Sequence, residues 1–137
     1  MQEKIRFRSS AGLELAGALH LPDAGSPRAY ALFAHCFTCT KNVKAAVNIA
    51  EALCLEGIAV LRFDFTGLGQ SEGEFADTHF SSNVQDLLDA AEYLKREHQP
   101  PDILVGHSLG GTAMLAAAHR IESAAAVATI GSPADAE

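Results

Sequence analysis

The pattern of apolar and polar residues changes near Tyr30. Before Tyr30, apolar residues alternate with polar ones, first around Ile5 and Phe7 and then from Leu13 to Leu21. Residues 10–12 (SAG) separate the two stretches. Alternation of this kind is typical of strands with one buried face, so it predicts an antiparallel hairpin at a sheet edge.

Continuous apolar runs follow Tyr30. They comprise residues 30–34, 58–63, 103–105 and 124–130. Such runs are typical of strands covered on both faces, as in a parallel sheet. Each run is short enough to be one strand rather than a helix.

Segments with helical spacing separate these runs. The first has apolar residues three and four apart from Val43 to Cys54, and Gly57 follows as a stop signal. The second begins near Ser82, which precedes Gln85 by three residues in a capping-box pattern. The third is expected over residues 109–121. The order β-β-β-α-β-α-β-α-β predicts an α/β fold with three layers (α/β/α) and a mostly parallel sheet.

Composition narrows the class of protein. The chain has 137 residues, 48% of them hydrophobic, which suits one globular domain. Its 17 acidic and 10 basic residues give a net charge of −7, without a basic stripe, so we expect no nucleic-acid partner. No apolar run reaches the roughly 18 residues of a membrane span, and residues 1–6 lack the apolar stretch of a signal peptide, so we expect neither. With only three cysteines, these features favour the cytoplasm.

Three strand ends carry unusual residues: 35–37 (HCF), 64–71 (DFTGLGQS) and 106–111 (GHSLGG). In open parallel sheets, functional residues lie outside the carboxyl ends of the strands. The pattern Gly106-x-Ser108-x-Gly110 follows an apolar strand and opens a helix of small residues. That context predicts a nucleophile elbow, in which the Leu109 N–H faces a developing oxyanion. The alternative is a serine that only caps the helix.

The segments FAHCF, RFDFTGLGQSEG and VGHSLGG, in this order, resemble the α/β-hydrolase superfamily. The resemblance implies the first six strands of that fold and a single domain over residues 1–137 that is cut short. It also implies a second oxyanion donor at the Phe37 N–H. Cys36 stands where the family usually has glycine.

One subgroup is more similar still, on the stretches HCFTCTKN and VLRFDFTGLGQSEGEF. In that subgroup the hydrolase domain is fused to an OsmC-type peroxidase domain. The resemblance therefore implies a fused peroxidase domain in the full-length protein.

The other candidate residues have structural explanations. Asp64 is expected to accept loop N–H bonds, with Gly67 and Gly69 adopting positive φ, rather than to act as an acid. His35 is expected to bond loop backbone, and His107 to pack under the elbow. Among the remaining histidines, His20, His98 and His119 are expected at the surface or at helix ends, and His79 is a weak candidate for a general base. A thiol redox pair at Cys36 and Cys39 remains an alternative.

A serine hydrolase also needs a base and an acid, which in this fold follow the serine along the chain. After Ser108 the only histidine is His119, on the elbow's own helix, and Asp135 is a candidate acid. The expectation is therefore a fragment of an esterase-type serine hydrolase for a small ester or acyl substrate. It is expected to be nearly inactive alone, because the catalytic histidine lies outside it. No cofactor or metal is implied.

Two further expectations follow from a cut-short domain. The apolar run 124–130 would leave an unpaired hydrophobic edge, through which the chain would self-associate. A non-catalytic scaffolding module with the same fold is the remaining alternative.

Overall fold

The structure, a computed structural model, describes residues 1–23, 25–35 and 40–133. Its strands are β1 (Gln2–Arg8), β2 (Glu14–His20), β3 (Ala29–Ala34), β4 (Ile58–Phe63), β5 (Ile103–His107) and β6 (Ala126–Ile130). Its helices are α1 (Lys44–Leu55), α2 (Phe80–Glu97) and α3 (Leu109–Ala118), with a 3₁₀ turn at Phe75–Asp77. The predicted order of strands and helices is confirmed.

The six strands form one mixed sheet in the order β1-β2-β4-β3-β5-β6. Strands β4, β3, β5 and β6 are parallel, whereas β1 and β2 form an antiparallel hairpin that joins the sheet through β2 and β4. The hairpin lies at the edge of the sheet, as its alternating pattern predicted.

Helices cover both faces of the sheet. In β3, Leu32 and Ala34 belong to a core cluster that contains residues of α2 and α3. Ala31 and Phe33, which point to the opposite face, belong to a second cluster with residues of α1. The predicted three-layer α/β/α arrangement is therefore confirmed.

Helix α2 begins earlier than its sequence pattern predicted. His79 is the N-cap: its Nδ1 accepts a bond from the Ser82 N–H at 3.3 Å, and the Ser82 Oγ accepts one from the His79 N–H at 2.9 Å. The predicted capping box of Ser82 and Gln85 is wrong, because an imidazole nitrogen supplies the acceptor that serine, aspartate or asparagine usually provides.

Two other elements also differ from expectation. Helix α3 ends at Ala118, because the N–H groups of Arg120 and Ile121 bond the carbonyls three residues back and tighten the last turn. Among the described residues, strand β6 lies at the edge of the sheet, pairs with β5 alone and is exposed along its length, whereas its apolar run predicted a strand covered on both faces. In the part of the chain that the structure describes, this edge strand exposes the apolar residues Val127 and Ile130, in line with the predicted hydrophobic edge. None of the described helices has the length and apolar character needed to cross a membrane.

Candidate active site

The turn between β5 and α3 holds Ser108 in a backbone conformation that side chains rarely adopt. Its φ is 56° and its ψ is −129°. Ser108 is the one non-glycine residue with positive φ in the described part of the chain. Such a conformation costs on the order of 1–3 kcal/mol and persists only where the surroundings enforce it.

Close packing of glycines enforces this turn. A Cβ on Gly106 would lie 2.3 Å from the Gly111 Cα, and a Cβ on Gly110 would lie 2.2 Å from the His35 carbonyl oxygen. Neither contact is sterically allowed. The absence of side chains therefore lets the start of α3 approach β5 and the end of β3, where the second oxyanion donor is expected.

The Ser108 side chain does not cap the helix. The residue occupies the N-cap position of α3, but its side chain makes no capping hydrogen bond. Its backbone is fixed instead: the N–H donates to the Ile130 carbonyl at 2.8 Å, and the carbonyl accepts from the Gly111 N–H at 2.9 Å. The capping alternative is therefore wrong. The next N–H, on Leu109, is among the first four of the helix, which have no intrahelical acceptor.

Asp64, at the end of β4, is buried and holds a loop. Its Oδ1 accepts from the Lys41 backbone N–H at 2.7 Å, and its Oδ2 accepts from the Gln70 N–H at 3.0 Å. Gly67 and Gly69 have φ of 78° and 53°, and a Cβ on Gly69 would lie 2.4 Å from the Asp64 Cγ. The loop therefore closes around the carboxylate, which is fully buried.

Two buried cations beside this loop were missed by the sequence analysis. The Lys41 Nζ lies 2.8 Å from the Asp64 Oδ2 and 2.9 Å from the Gln70 Oε1. The Arg62 side chain, 1% exposed, donates to the Lys41 carbonyl oxygen and, through Nε, to the His20 Nε2 at 2.9 Å. An arginine within the otherwise apolar run 58–63 was the available signal, because a buried arginine requires partners.

His20 was expected at the surface or at a helix end, and that expectation is wrong. The residue is buried at the end of β2, where its neutral imidazole accepts the bond from Arg62. Burial, and to a smaller extent the charge of Arg62, lower the pKa of His20 below its ordinary value. The alternating pattern places His20 on a strand, but the pattern alone does not reveal its partner.

The other histidines have different surroundings. His35 is buried, with its Nε2 3.9 Å from the Asp64 Oδ1 and 3.4 Å from the Phe65 N–H. His79 caps α2, and His119 ends α3. His98 lies at the end of α2 with its ring near Tyr30, and the half-buried His107 ends β5.

Some predicted residues lie outside the described part of the chain. They are the oxyanion donor Phe37, the redox candidates Cys36 and Cys39, and the candidate acid Asp135. Within the described ranges, no three His, Cys, Asp or Glu side chains form a group suited to a metal ion.

A six-stranded, mostly parallel sheet with a strained serine turn after the fifth strand identifies the chain as an α/β-hydrolase-fold protein. Residues 25–135 match the family described as serine aminopeptidase, S33. The chain belongs to this family.

Similar proteins are hydrolases. Rat palmitoyl-protein thioesterase ABHD10, a mitochondrial protein, is 39% identical over 95 residues, which are 69% of this chain and 31% of that protein. The esterase domain of a Rhodothermus marinus protein is 48% identical with a TM-score of 0.82, covering 98% of this chain and 52% of that domain. A lidless α/β serine hydrolase from Xanthomonas campestris, XC6422, is 27% identical with a TM-score of 0.86, covering 99% of this chain and 63% of that one. The chain thus spans about half the length of such structures.

Proposed function

We propose that this chain supplies the nucleophile and oxyanion hole of an esterase-type serine hydrolase, with Ser108 as the nucleophile. The observation that carries the proposal is the strained turn, with φ at 56° and no capping bond from the side chain. Strain of this kind is typical of functional sites. A hydroxyl kept out of the helix cap is available for attack on an acyl carbon.

In the proposed reaction, the Ser108 Oγ attacks the carbonyl carbon of an ester or thioester. The resulting oxyanion accepts hydrogen bonds from the N–H groups of Leu109 and Phe37. The start of α3 adds a favourable potential, since a helix N-terminus carries partial positive charge. The alcohol or thiol leaves, and water then releases the acid from the acyl-enzyme.

The base that accepts the serine proton comes, in this proposal, from outside residues 1–137. Four of the six histidines support this: His20 and His35 are buried against other partners, His79 caps a helix, and His119 lies at the far end of α3. Asp135 remains a candidate for the acid that orients the base. Residues 1–137 alone are then expected to turn over substrate far more slowly than a complete enzyme, because serine is a weak nucleophile without a base.

The proposed substrates are small esters or acyl compounds. Both a palmitoyl-protein thioesterase and an esterase domain are among the similar proteins. We expect hydrolysis of both oxygen esters and thioesters, because the attacked acyl carbon is common to both. Comparing p-nitrophenyl esters with acyl thioesters of equal chain length measures the preference between them.

The test is labelling of the full-length natural protein with a fluorophosphonate. Wild type and Ser81→Ala, which changes an exposed serine of α2, are expected to react. Ser108→Ala is expected not to react and to lose ester hydrolysis. Equal labelling of wild type and Ser108→Ala would overturn the proposal and favour a scaffolding module of the same fold.

Three further predictions belong to the same proposal. The full-length protein carries a fused OsmC-type domain, it resides in the cytoplasm, and the edge at β6 promotes self-association. Sequencing the complete gene, cell fractionation, and light scattering of residues 1–137 test them separately.

The alternative function, thiol redox chemistry at Cys36 and Cys39, makes a different prediction. It requires that a thiol titration show a near-neutral pKa, and that this near-neutral titration disappear in Cys39→Ser.

A further inference from the structure

The end of β6 and the residues that follow it are tied to the first turn of α3. The Ile130 carbonyl accepts a hydrogen bond from the Ser108 N–H at 2.8 Å. Three residues further along, the Pro133 carbonyl accepts one from the Thr112 Oγ1 at 2.6 Å. Because Ser108 and Thr112 lie four residues apart, the two bonds leave the same side of the helix and hold one short segment at both ends.

The Thr112 hydroxyl is not used within its own helix. A threonine hydroxyl inside a helix can donate to the carbonyl three or four residues back. Here the carbonyl four residues back is that of Ser108, and it accepts instead from the N–H groups of Gly111 and Thr112 at 2.9 and 3.3 Å. Thr112 is 6% exposed, so its hydroxyl requires a partner inside the protein, and Pro133 supplies it.

Residues 131–133 depend on this bond. Within the described part of the chain they make no other hydrogen bond, and the Ser132 Oγ is buried without a partner there. Strand β6, which precedes them, is exposed along its length. The Thr112 hydroxyl is therefore the polar contact that keeps these residues, and with them the Ile130 carbonyl, against α3.

We propose that Thr112 is a positioning residue for the nucleophile. This inference rests on the proposed function, in which Ser108 attacks the substrate. The strained backbone of Ser108 persists only while its surroundings enforce it, and the bond from its N–H to Ile130 is one of the interactions that do so. By holding the end of β6, the Thr112 hydroxyl keeps that bond in place and keeps the Ser108 Oγ directed at the acyl carbon.

The expected consequence concerns the chemical step. Thr112→Val keeps the shape of the side chain and removes the hydroxyl. A displacement of a reacting group by about 1 Å can cost about 100-fold in rate. Because two backbone N–H groups still bond the Ser108 carbonyl, we expect a smaller loss, about 10-fold in kcat. We expect KM to change by less than about threefold, because a misplaced nucleophile weakens the transition state and not the binding of substrate.

The experiment uses the full-length natural protein, with active sites counted by complete reaction with a fluorophosphonate. Thr112→Val is compared with Thr112→Ser, which keeps a hydroxyl and is expected to retain most of the wild-type kcat. The second-order rate of fluorophosphonate labelling, which reports the reactivity of the Ser108 Oγ, is expected to fall in Thr112→Val but not in Thr112→Ser. Should Thr112→Val fail to fold, Thr112→Ala carries the same expectation, because alanine is the better helix former.

Ser123→Ala is the matched control. The Ser123 Oγ also donates to a proline carbonyl, that of Pro101 at 2.5 Å, but this bond joins the segments that precede β5 and β6. It therefore lies at the other end of the same two strands. Ser123→Ala is expected to leave both kcat and the labelling rate unchanged.

Unchanged kcat per titrated site in Thr112→Val would overturn the proposal, as would an equal loss in Thr112→Ser or in Ser123→Ala. Failure of the proposed function gives a different result. In that case the wild type would show no turnover that depends on Ser108, and the role of Thr112 would fail with it. An active wild type beside an equally active Thr112→Val overturns this inference alone.

Discussion

The ends of β5 and β4 lie at the same edge of the sheet, but different interactions build them. At the end of β5, glycines pack backbone against backbone, and the Ser108 side chain makes no capping bond. At the end of β4, the Asp64 carboxylate bonds two backbone N–H groups and the Lys41 ammonium. The difference teaches that a strand end can be shaped by backbone packing, which leaves the Ser108 side chain outside the helix cap, or by a buried carboxylate that bonds the loop.

The largest expected effect comes from replacing Ser108 by glycine. Glycine adopts positive φ without strain, so Ser108→Gly is expected to raise the free energy of unfolding by about 1 kcal/mol. The same change is expected to abolish fluorophosphonate labelling and to lower ester hydrolysis by more than about 10⁴-fold. Urea unfolding and an esterase assay measure the two effects. A variant less stable than wild type would show that the turn stores no strain.

The next largest expected effect is a loss of stability when a side chain is added to a glycine that packs backbone against backbone at the Ser108 turn. In Gly110→Ala the new Cβ would meet the Ala34 and His35 carbonyl oxygens at 2.6 and 2.2 Å. We expect a loss of about 3 kcal/mol in the free energy of unfolding, because backbone must move. Gly12→Ala is the control: φ is 81° but no atom lies within 4 Å of the new Cβ. Its loss is expected to be about 1 kcal/mol. Equal losses would show that packing does not shape the elbow.

Ser71, in the loop that follows β4, makes uncharged hydrogen bonds whose removal is expected to have a smaller effect. Its Oγ donates to the Asp64 carbonyl at 2.6 Å and accepts from the Ala16 N–H at 2.9 Å. Ser71→Ala leaves both groups unpaired, so the free energy of unfolding is expected to fall by about 1–2 kcal/mol. The kcat, calculated per active site titrated with a fluorophosphonate, is expected to be unchanged. A loss of kcat per titrated site would mean that this loop contact contributes to catalysis as well as to stability.

The smallest expected effect is a change in how the free energy of unfolding depends on pH when His20 is replaced. Its pKa is lowered in the native state from 6.5, so the unfolded chain binds more protons as the pH falls below that value. The stability contributed by neutral His20 is therefore complete above pH 6.5 and is lost as the pH falls toward its native pKa. In His20→Gln, an amide oxygen can still accept from Arg62. Between pH 7.5 and pH 5.5 the free energy of unfolding of His20→Gln is expected to decline less than that of wild type. An equal decline in both proteins would contradict a lowered pKa for His20 in the native state.

Local patterns predicted most of the fold. Period-two alternation indicated the hairpin of β1 and β2, continuous apolar runs indicated β3, β4 and β5, and helical spacing indicated α1. The sequence predicted a hydrophobic edge at β6, but the apolar run did not indicate that both faces of the strand would be exposed, because it records which residues a strand carries and not what covers them. The start of α2 was misplaced because histidine is an uncommon N-cap.

For the site, glycine spacing predicted the tight turn at Ser108, because the close approach of backbone at Gly106 and Gly110 leaves no room for a side chain. The buried polar side chains were not recognised, since Lys41, Arg62 and His20 come from three separate segments of the chain. A lysine or histidine in a sequence does not reveal whether it will be buried with a partner. Only the folded chain brings Lys41 to Asp64 and His20 to Arg62.

The most direct test of the central claim is the crystal structure of the full-length protein after reaction with a fluorophosphonate. The account predicts phosphorus bonded to the Ser108 Oγ, with the phosphonyl oxygen about 2.7–3.1 Å from the backbone nitrogens of Leu109 and Phe37. An adduct on another residue, or a phosphonyl oxygen directed away from both N–H groups, would contradict it.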